Sequence, residues 1–305
     1  MAFFTWGSLR TRALLVGTAL VAAACSANSD DNEFEGSTSQ GDPSGSGGDS
    51  SGAGGNISVG SASGGTTGTG GQDGCTQNVD IVFVMDVSTS MGPFLDKLAQ
   101  EMPVVDAAVK QLNLQSTPHY GLVVFVDDML LVNGGQPYDD VAVLQQDFQQ
   151  WAGFTSSNTQ VSGGGYNSTW PENSLDGLYG ATGFAWRPAE ETLRIVIHTT
   201  DDTFWEGPST QDGVPIAHNY DETVTALQQA QIRVFSFASM LGGPTETTDV
   251  SAGWFGPYNG KNSIPEATVG GVFELNQVMS GQISLSASIN QAVSDSFCEP
   301  YEPPS

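Results

Sequence analysis

Basic residues are scarce in this chain. Only 8 Lys and Arg accompany 34 Asp and Glu among 305 residues, so the formal net charge at pH 7 is −26. A surface with this charge repels nucleic acids and anionic membrane surfaces, because both are polyanions. We therefore expect no nucleic-acid partner. The same charge suits the binding of divalent cations, although it is also typical of a solubilised extracellular protein.

Side chains that commonly carry out catalysis are few and scattered. The three histidines, His119, His198 and His218, show no H-x-x-x-H spacing, and the chain has no G-x-S-x-G motif and no phosphate-binding motif. His198 ends a buried apolar run, where a hydrogen-bonded core histidine is more common than a catalytic one. No catalytic residue is predicted, so we expect a binding protein rather than an enzyme.

Cysteine occurs at only three positions. Cys25 ends an apolar N-terminal stretch, whereas Cys75 and Cys298 bracket every segment that has a core-forming pattern. An exported protein forms disulfides readily, because its environment is oxidising. We predict a disulfide between Cys75 and Cys298, with two free thiols as the alternative.

The N-terminus has the features of an export signal. Two arginines precede apolar residues 13–24, a run that is too short to span a bilayer but has the length of a signal-peptide core. Residues 21–25, Val-Ala-Ala-Ala-Cys, resemble the end of a bacterial lipoprotein signal. That resemblance implies removal of residues 1–24, lipidation of Cys25, and export to the bacterial outer membrane or cell surface. An ordinary secretory signal cut near the same point is the alternative.

A low-complexity segment follows the lipidation site. Residues 25–74 consist largely of Gly and Ser and contain few side chains that could form a core, which predicts a disordered linker. A coil of this length would hold the next domain clear of a membrane to which Cys25 is anchored. Residues 75–298 are the predicted folded domain, and residues 299–305 are a predicted tail.

Strand-like and helix-like patterns alternate through the predicted domain. Apolar strand-like runs occur at 79–84, 120–126, 193–198, 233–237 and 271–275, with a short hairpin strand at 129–132. Helical spacing of apolar residues occurs at 94–112, 138–151, 173–186, 220–230 and 285–297. This alternation predicts an α/β fold with a doubly wound, mostly parallel central sheet flanked by helices.

Oxygen-bearing side chains follow two of the predicted strands. Asp86, Ser88 and Ser90 form a D-x-S-x-S motif after the first strand, and Thr200-Asp201 follows a later one. Ligands of open α/β sheets bind at the carboxyl ends of strands. A carboxylate and two hydroxyls on a tight turn are hard donors that suit Mg²⁺, Ca²⁺ or Mn²⁺, and we expect Asp86 to face solvent there. A simple turn with an N-cap serine is the alternative.

Taken together, these segments resemble a von Willebrand factor type A domain, over roughly residues 75–298. The resemblance implies a metal-ion-dependent adhesion site in which Asp86, Ser88, Ser90 and Asp201 bind one divalent cation. Mg²⁺ is the expected ion, with Ca²⁺ and Mn²⁺ as alternatives. The resemblance also implies that the cation has an open coordination position, which a carboxylate from a partner fills.

A further loop should supply one more ligand. Trp170-Pro171-Glu172 and residues 200–204 resemble the integrin β-subunit branch of this family, which implies Glu172 as that ligand. Thr169 is the alternative, because a threonine takes this role in many other members.

The same branch implies a second cation site beside the first. Its ligands would be Asp127, Asn167, the Pro171 carbonyl and Glu172. Aromatic residues in segment 252–258 either bind a ligand or pack over the sheet edge.

The signal, linker and domain patterns predict a surface-tethered lipoprotein whose domain binds a protein or another ligand that presents a carboxylate. The alternative is a metal-bearing enzyme or an accessory subunit of a cell-envelope complex.

Overall fold

A computed structural model describes residues 75–242 and 247–304. The predicted signal sequence, the predicted lipidation site Cys25 and the predicted linker lie outside the described residues. Within the described part of the chain, no helix combines the length and the hydropathy that crossing a membrane requires.

The described residues contain one central sheet of six strands and two small hairpins. The strands are β1 (Asn78–Asp86), β2 (His119–Phe125), β3 (Met129–Leu131), β4 (Thr192–Thr200), β5 (Ser209–Gln211), β6 (Val214–Ile216), β7 (Ile232–Ala238), β8 (Leu241–Gly242), β9 (Thr248–Asp249) and β10 (Gly271–Glu274). The order in the sheet is β10-β7-β4-β1-β2-β3. All neighbours are parallel except β3, which pairs antiparallel with β2 at one edge.

Seven α-helices connect these strands in the described residues. They are α1 (Gly92–Val109), α2 (Val141–Phe154), α3 (Ser174–Ala181), α4 (Tyr220–Gln229), α5 (Ile264–Ala267), α6 (Leu275–Met279) and α7 (Leu285–Ser296). Side chains cap the first turns of two of these helices. Asp140 caps α2, and Asn219 forms a capping box with Glu222 at the start of α4.

Helices cover both faces of the sheet, and β1 lies in the middle. Every residue of β1 is buried. Its side chains alternate in direction, so that Phe83 joins one core cluster and Val84 joins the other. The first cluster includes side chains of α1, α2 and α7, and the second includes side chains of α3, α4 and α5. Burial on both faces explains why the strand is a continuous apolar run.

This architecture confirms the predicted α/β fold class. Several details differ from the sequence-based expectation. Helix α2 covers Val141–Phe154 instead of 138–151, and the short helices α5 and α6 were not predicted. Helix α3 ends at Ala181, whereas the apolar spacing predicted a helix to residue 186. The hairpins β5–β6 and β8–β9 were not predicted, because their strands are only two or three residues long.

The two ends of the domain are tied together as predicted. A disulfide joins Cys75 and Cys298, which confirms the predicted bridge. Beside it, the amide of Thr76 donates to the carbonyl of Phe297 at 3.1 Å. The start of β1 is therefore linked to the end of α7 by both a covalent and a backbone contact.

Residues of the predicted tail pack against the sheet. The Arg233 guanidinium, on β7, donates to the carbonyls of Glu299 and Pro300, each at 2.8 Å. It also lies 5.5 Å from the centre of the Tyr301 ring. The chain therefore remains attached to β7 for several residues beyond the disulfide.

Candidate metal centre

The first predicted metal loop lies at the carboxyl end of β1, the central strand. The Asp86 side chain is fully buried, and it accepts hydrogen bonds from the Ser88 amide at 2.8 Å and from the Thr200 hydroxyl at 3.0 Å. The hydroxyl oxygens of Ser88 and Ser90 are 3.3 Å apart. The expectation that Asp86 faces solvent was wrong, because the serine turn and the end of β4 cover its carboxylate.

The end of β4 brings the Thr200-Asp201 motif to the same place. Because β4 pairs with β1 in parallel register, both strands finish at one edge of the sheet. Asp201 lies close enough for its charge to raise the pKa of Asp86. Asp202 is also buried and accepts a hydrogen bond from the Trp170 indole N–H. The sequence motif therefore brings a second carboxylate, Asp202, that was not predicted as a site residue.

Glu172 reaches this edge from the loop before α3. Its backbone pairs with the chain that follows β4, since its amide donates to the Thr203 carbonyl at 3.2 Å and its carbonyl accepts from the Trp205 amide at 3.1 Å. The residue is 2% exposed. One oxygen, Oε1, accepts from the Asn167 amide group at 3.0 Å, whereas Oε2 has no hydrogen-bond partner.

Thr169, the alternative ligand, makes different contacts. Its hydroxyl donates to the Asp127 carboxylate, lies 3.3 Å from the Pro171 carbonyl oxygen, and accepts from the Trp205 indole N–H at 3.1 Å. The structure thus brings Glu172 into the field of Asp86 and brings Thr169 to Asp127.

Electrostatics at the centre disfavour two buried negative charges without a cation. Burial raises the pKa of Asp86 well above its usual range, and the nearby Asp201 charge raises it further. Burial likewise raises the pKa of Glu172, with the Asp86 charge as the next cause. A divalent cation between these groups would offset both effects, because it attracts each carboxylate.

The donor set fits a hard cation with an incomplete protein shell. Asp86, Ser88, Ser90, Glu172 and Asp201 all supply oxygen, which suits Mg²⁺ and related ions. The unpartnered Oε2 of buried Glu172 is the clearest sign of a missing ligand, because buried polar atoms are normally hydrogen-bonded. In residues 75–242 and 247–304, no three His, Cys, Asp or Glu side chains lie close enough to hold a metal ion alone. A cation here would therefore need the serine hydroxyls and water.

The residues of the predicted second cation site also lie together. Asp127 is fully buried, and its carboxylate accepts from the Ser168 amide at 3.0 Å as well as from Thr169. Since Thr169 also approaches Pro171 and Asn167 donates to Glu172, hydrogen bonds already connect the predicted ligands.

The candidate centre opens into a cleft of about 610 Å³. Ser88, Ser90, Glu172 and Asp201 line it. The loop before α3, including Asn167 and Trp170, also lines the cleft, as do Leu241, Leu275 and Met279, which follow β7 and β10. No local sequence pattern predicted that Leu241, Leu275 and Met279 line the cleft, because they come from two separate segments without a shared motif.

The remaining sequence candidates are structural. Trp254, in the aromatic segment, is fully buried and packs 4.5 Å from His198 and 5.4 Å from Phe204, measured between ring centres. This favours packing over ligand binding for that side chain. His198 is buried as well, and its Nδ1 lies 3.2 Å from the Ser236 hydroxyl.

No family model matches this chain, and no curated protein matches it. Among solved structures, it is similar to two of proximal thread matrix protein 1 from the mussel byssus. The first, described as having a zinc-occupied MIDAS motif, shares 14% identity at a TM-score of 0.40, covering 71% of this chain and 48% of that one. The second, described as crystal form 2, shares 15% identity at a TM-score of 0.39, covering 72% of this chain and 46% of that one. This chain spans about half the length of either.

Proposed function

We propose that this protein is a metal-dependent binding protein of the von Willebrand factor A type. It holds a partner that presents a carboxylate, and a divalent cation links the two. The observation that carries the proposal is the buried Glu172 carboxylate, which has one unpartnered oxygen and lies in the field of Asp86, in a cleft that also exposes serine hydroxyls.

Asp86, Ser88, Ser90, Glu172 and Asp201 are the proposed ligands of the cation. Neutral hydroxyls leave more positive charge on the ion than carboxylates would, so the ion can attract an acidic partner. Mg²⁺ is the proposed ion, because it keeps bound water and needs fewer protein ligands than Ca²⁺. The choice of Glu172 over Thr169 corresponds to the integrin β branch of the family.

The proposed setting is the bacterial outer membrane or cell surface, with the domain anchored through a lipid on Cys25. Support for the anchor comes from the sequence resemblance at residues 21–25. A linker between this anchor and the domain would leave the binding cleft free to meet partners outside the cell.

An enzyme or an accessory subunit of an envelope complex is the alternative function. The feature that favours an enzyme is Glu172 itself, because a buried carboxyl with a raised pKa in an open cleft suits a general acid. The two functions differ in one test. A binding protein releases its captured partner unchanged when EDTA is added, whereas an enzyme releases a chemically altered one.

The deciding experiment is calorimetric titration of Mg²⁺ into the full chain. Wild type is expected to bind one equivalent at this site, and Asp86→Asn is expected to lose that binding. Asp106→Asn is a matched control, because Asp106 is a buried carboxylate that contacts Tyr120 and Lys110 away from the cleft. Equal Mg²⁺ affinity in wild type and Asp86→Asn would contradict the proposed site. Capture of envelope material with Mg²⁺ and its release by EDTA then tests the partner.

A further inference from the structure

The cleft continues beyond the candidate metal centre toward one side of the sheet. In the sheet order, β7 and β10 lie on the side of β4 away from β1. The chain segments that follow these two strands contribute Leu241, Leu275 and Met279 to the same cleft as Ser88 and Glu172. We refer to Leu241, Leu275 and Met279 as the apolar wall.

The apolar wall is accessible to a ligand. Leu241 is 51% exposed and Met279 is 38% exposed, whereas Leu275 is buried. A ligand that covers exposed aliphatic side chains binds more tightly, because apolar surface is removed from water. A methionine in such a position also adapts to ligands of different shape.

Few of the residues that line the cleft are charged. Its charged lining residues are Glu172, Asp201 and Asp202, which belong to the candidate centre. The neighbours of the apolar wall in the cleft, Ser239, Gly242 and Asn276, are neutral. A ligand that spans the cleft thus meets both the proposed cation and the aliphatic side chains of the wall.

We propose that the apolar wall is a specificity subsite for an extended peptide in which an acidic residue is adjacent to a large aliphatic residue. The acidic side chain meets the cation, and the neighbouring Leu, Ile or Met side chain packs on Leu241 and Met279. A peptide fits better than a glycan, because a sugar ring needs aromatic or hydrogen-bonding partners and the wall supplies neither. This proposal rests on the proposed metal-dependent function, and it specifies which class of ligand that function would bind.

Selection from a peptide library tests this proposal. Phage displaying short random peptides around a fixed Asp are captured on the full chain in Mg²⁺ and eluted with EDTA. The wild-type pool is expected to be enriched in large aliphatic residues next to the Asp. A selected peptide is expected to bind the Leu241→Ser/Met279→Ser double variant roughly tenfold more weakly, because the aliphatic contact is lost.

Two controls separate failure of the subsite from failure of the metal site. Val143→Ser replaces an aliphatic residue that is 47% exposed but lies outside the cleft, and it is expected to leave peptide affinity unchanged. Calorimetric Mg²⁺ titration of the double variant reports the cation site alone, since neither substituted residue is a proposed ligand. EDTA-eluted peptides without an aliphatic preference, or a preference that persists in the double variant, would overturn the subsite only. Selected peptides that bind equally well after their Asp is replaced by Asn would overturn both proposals.

Discussion

The charge of Asp86 should have opposite effects on stability with and without a cation. In the metal-free folded chain its pKa is raised by burial and by Asp201, so the charged form is disfavoured at neutral pH. Asp86→Asn removes that charge and keeps the side-chain size. Its amide group can still pair with the Ser88 amide and the Thr200 hydroxyl, because the hydroxyl can turn to accept. The metal-free variant is therefore expected to be at least as stable as metal-free wild type.

Saturating Mg²⁺ should reverse this order. A ligand at about 100 times its dissociation constant stabilises the folded state by about 2.7 kcal/mol. For a domain of this size, that corresponds to a rise in melting temperature of roughly 5–11 °C, at about 2–4 °C per kcal/mol. Wild type should show the rise, and Asp86→Asn should not, because the variant lacks the buried carboxylate at the end of β1.

Thermal unfolding in EDTA and in Mg²⁺, with the disulfide intact, measures both effects. Asp106→Asn serves as the control, because it removes the carboxylate charge that pairs with Lys110 and should lower stability equally in both solutions. The reasoning is refuted if Asp86→Asn retains the Mg²⁺-dependent rise. It is also refuted if the metal-free variant is clearly less stable than metal-free wild type.

Further predictions concern acid stability, anchoring and cation number. Burial lowers the pKa of His198 to about 3. Below about pH 6.5 the unfolded chain therefore binds a proton at this histidine that the folded chain does not bind. The free energy of unfolding should then fall by up to about 1.4 kcal/mol per pH unit as the pH drops toward 3. Urea unfolding of His198→Gln should show a shallower loss over this range, and an unchanged slope would contradict the assignment. Cys25→Ser should move the protein from membranes to the soluble fraction, and wild type without acyl groups by mass spectrometry would contradict the anchor. If the predicted second site exists, each chain should bind two Ca²⁺ ions at saturation, and Thr169→Asp should bind the second ion more tightly. A single bound ion in both wild type and Thr169→Asp would exclude the second site.

Periodicity predicted most of the fold, because the inner strands of the sheet are buried on both faces and have continuous apolar runs. The β5–β6 hairpin shows a signal that was present and overlooked. Its turn contains Asp212 and Gly213, which adopt φ values of 46° and 88°, and an Asp-Gly pair is a strong hairpin signal. The flanking strands are too short for their alternation to be visible.

The candidate site was predictable only in part. Strand-end motifs placed Asp86 and Asp201 together, since parallel neighbours finish at one edge. The spacing could not decide between Glu172 and Thr169, because it does not show how a loop turns its side chains. Backbone pairing with the chain after β4 directs Glu172 to Asp86. The apolar wall depends on strand order, which brings Leu241 and Met279 together from distant segments.

The position of β1 has a mechanical consequence. Its last residue, Asp86, belongs to the candidate centre, and its first residues follow the Cys75 bridge. A pull on a partner bound at the centre would therefore run along this strand toward Cys75. β1 pairs over seven residues with β2 and over eight with β4, so the two ladders resist in shear and their bonds are loaded together. The disulfide then shares the load with α7, which keeps the pulled strand from peeling away from the sheet.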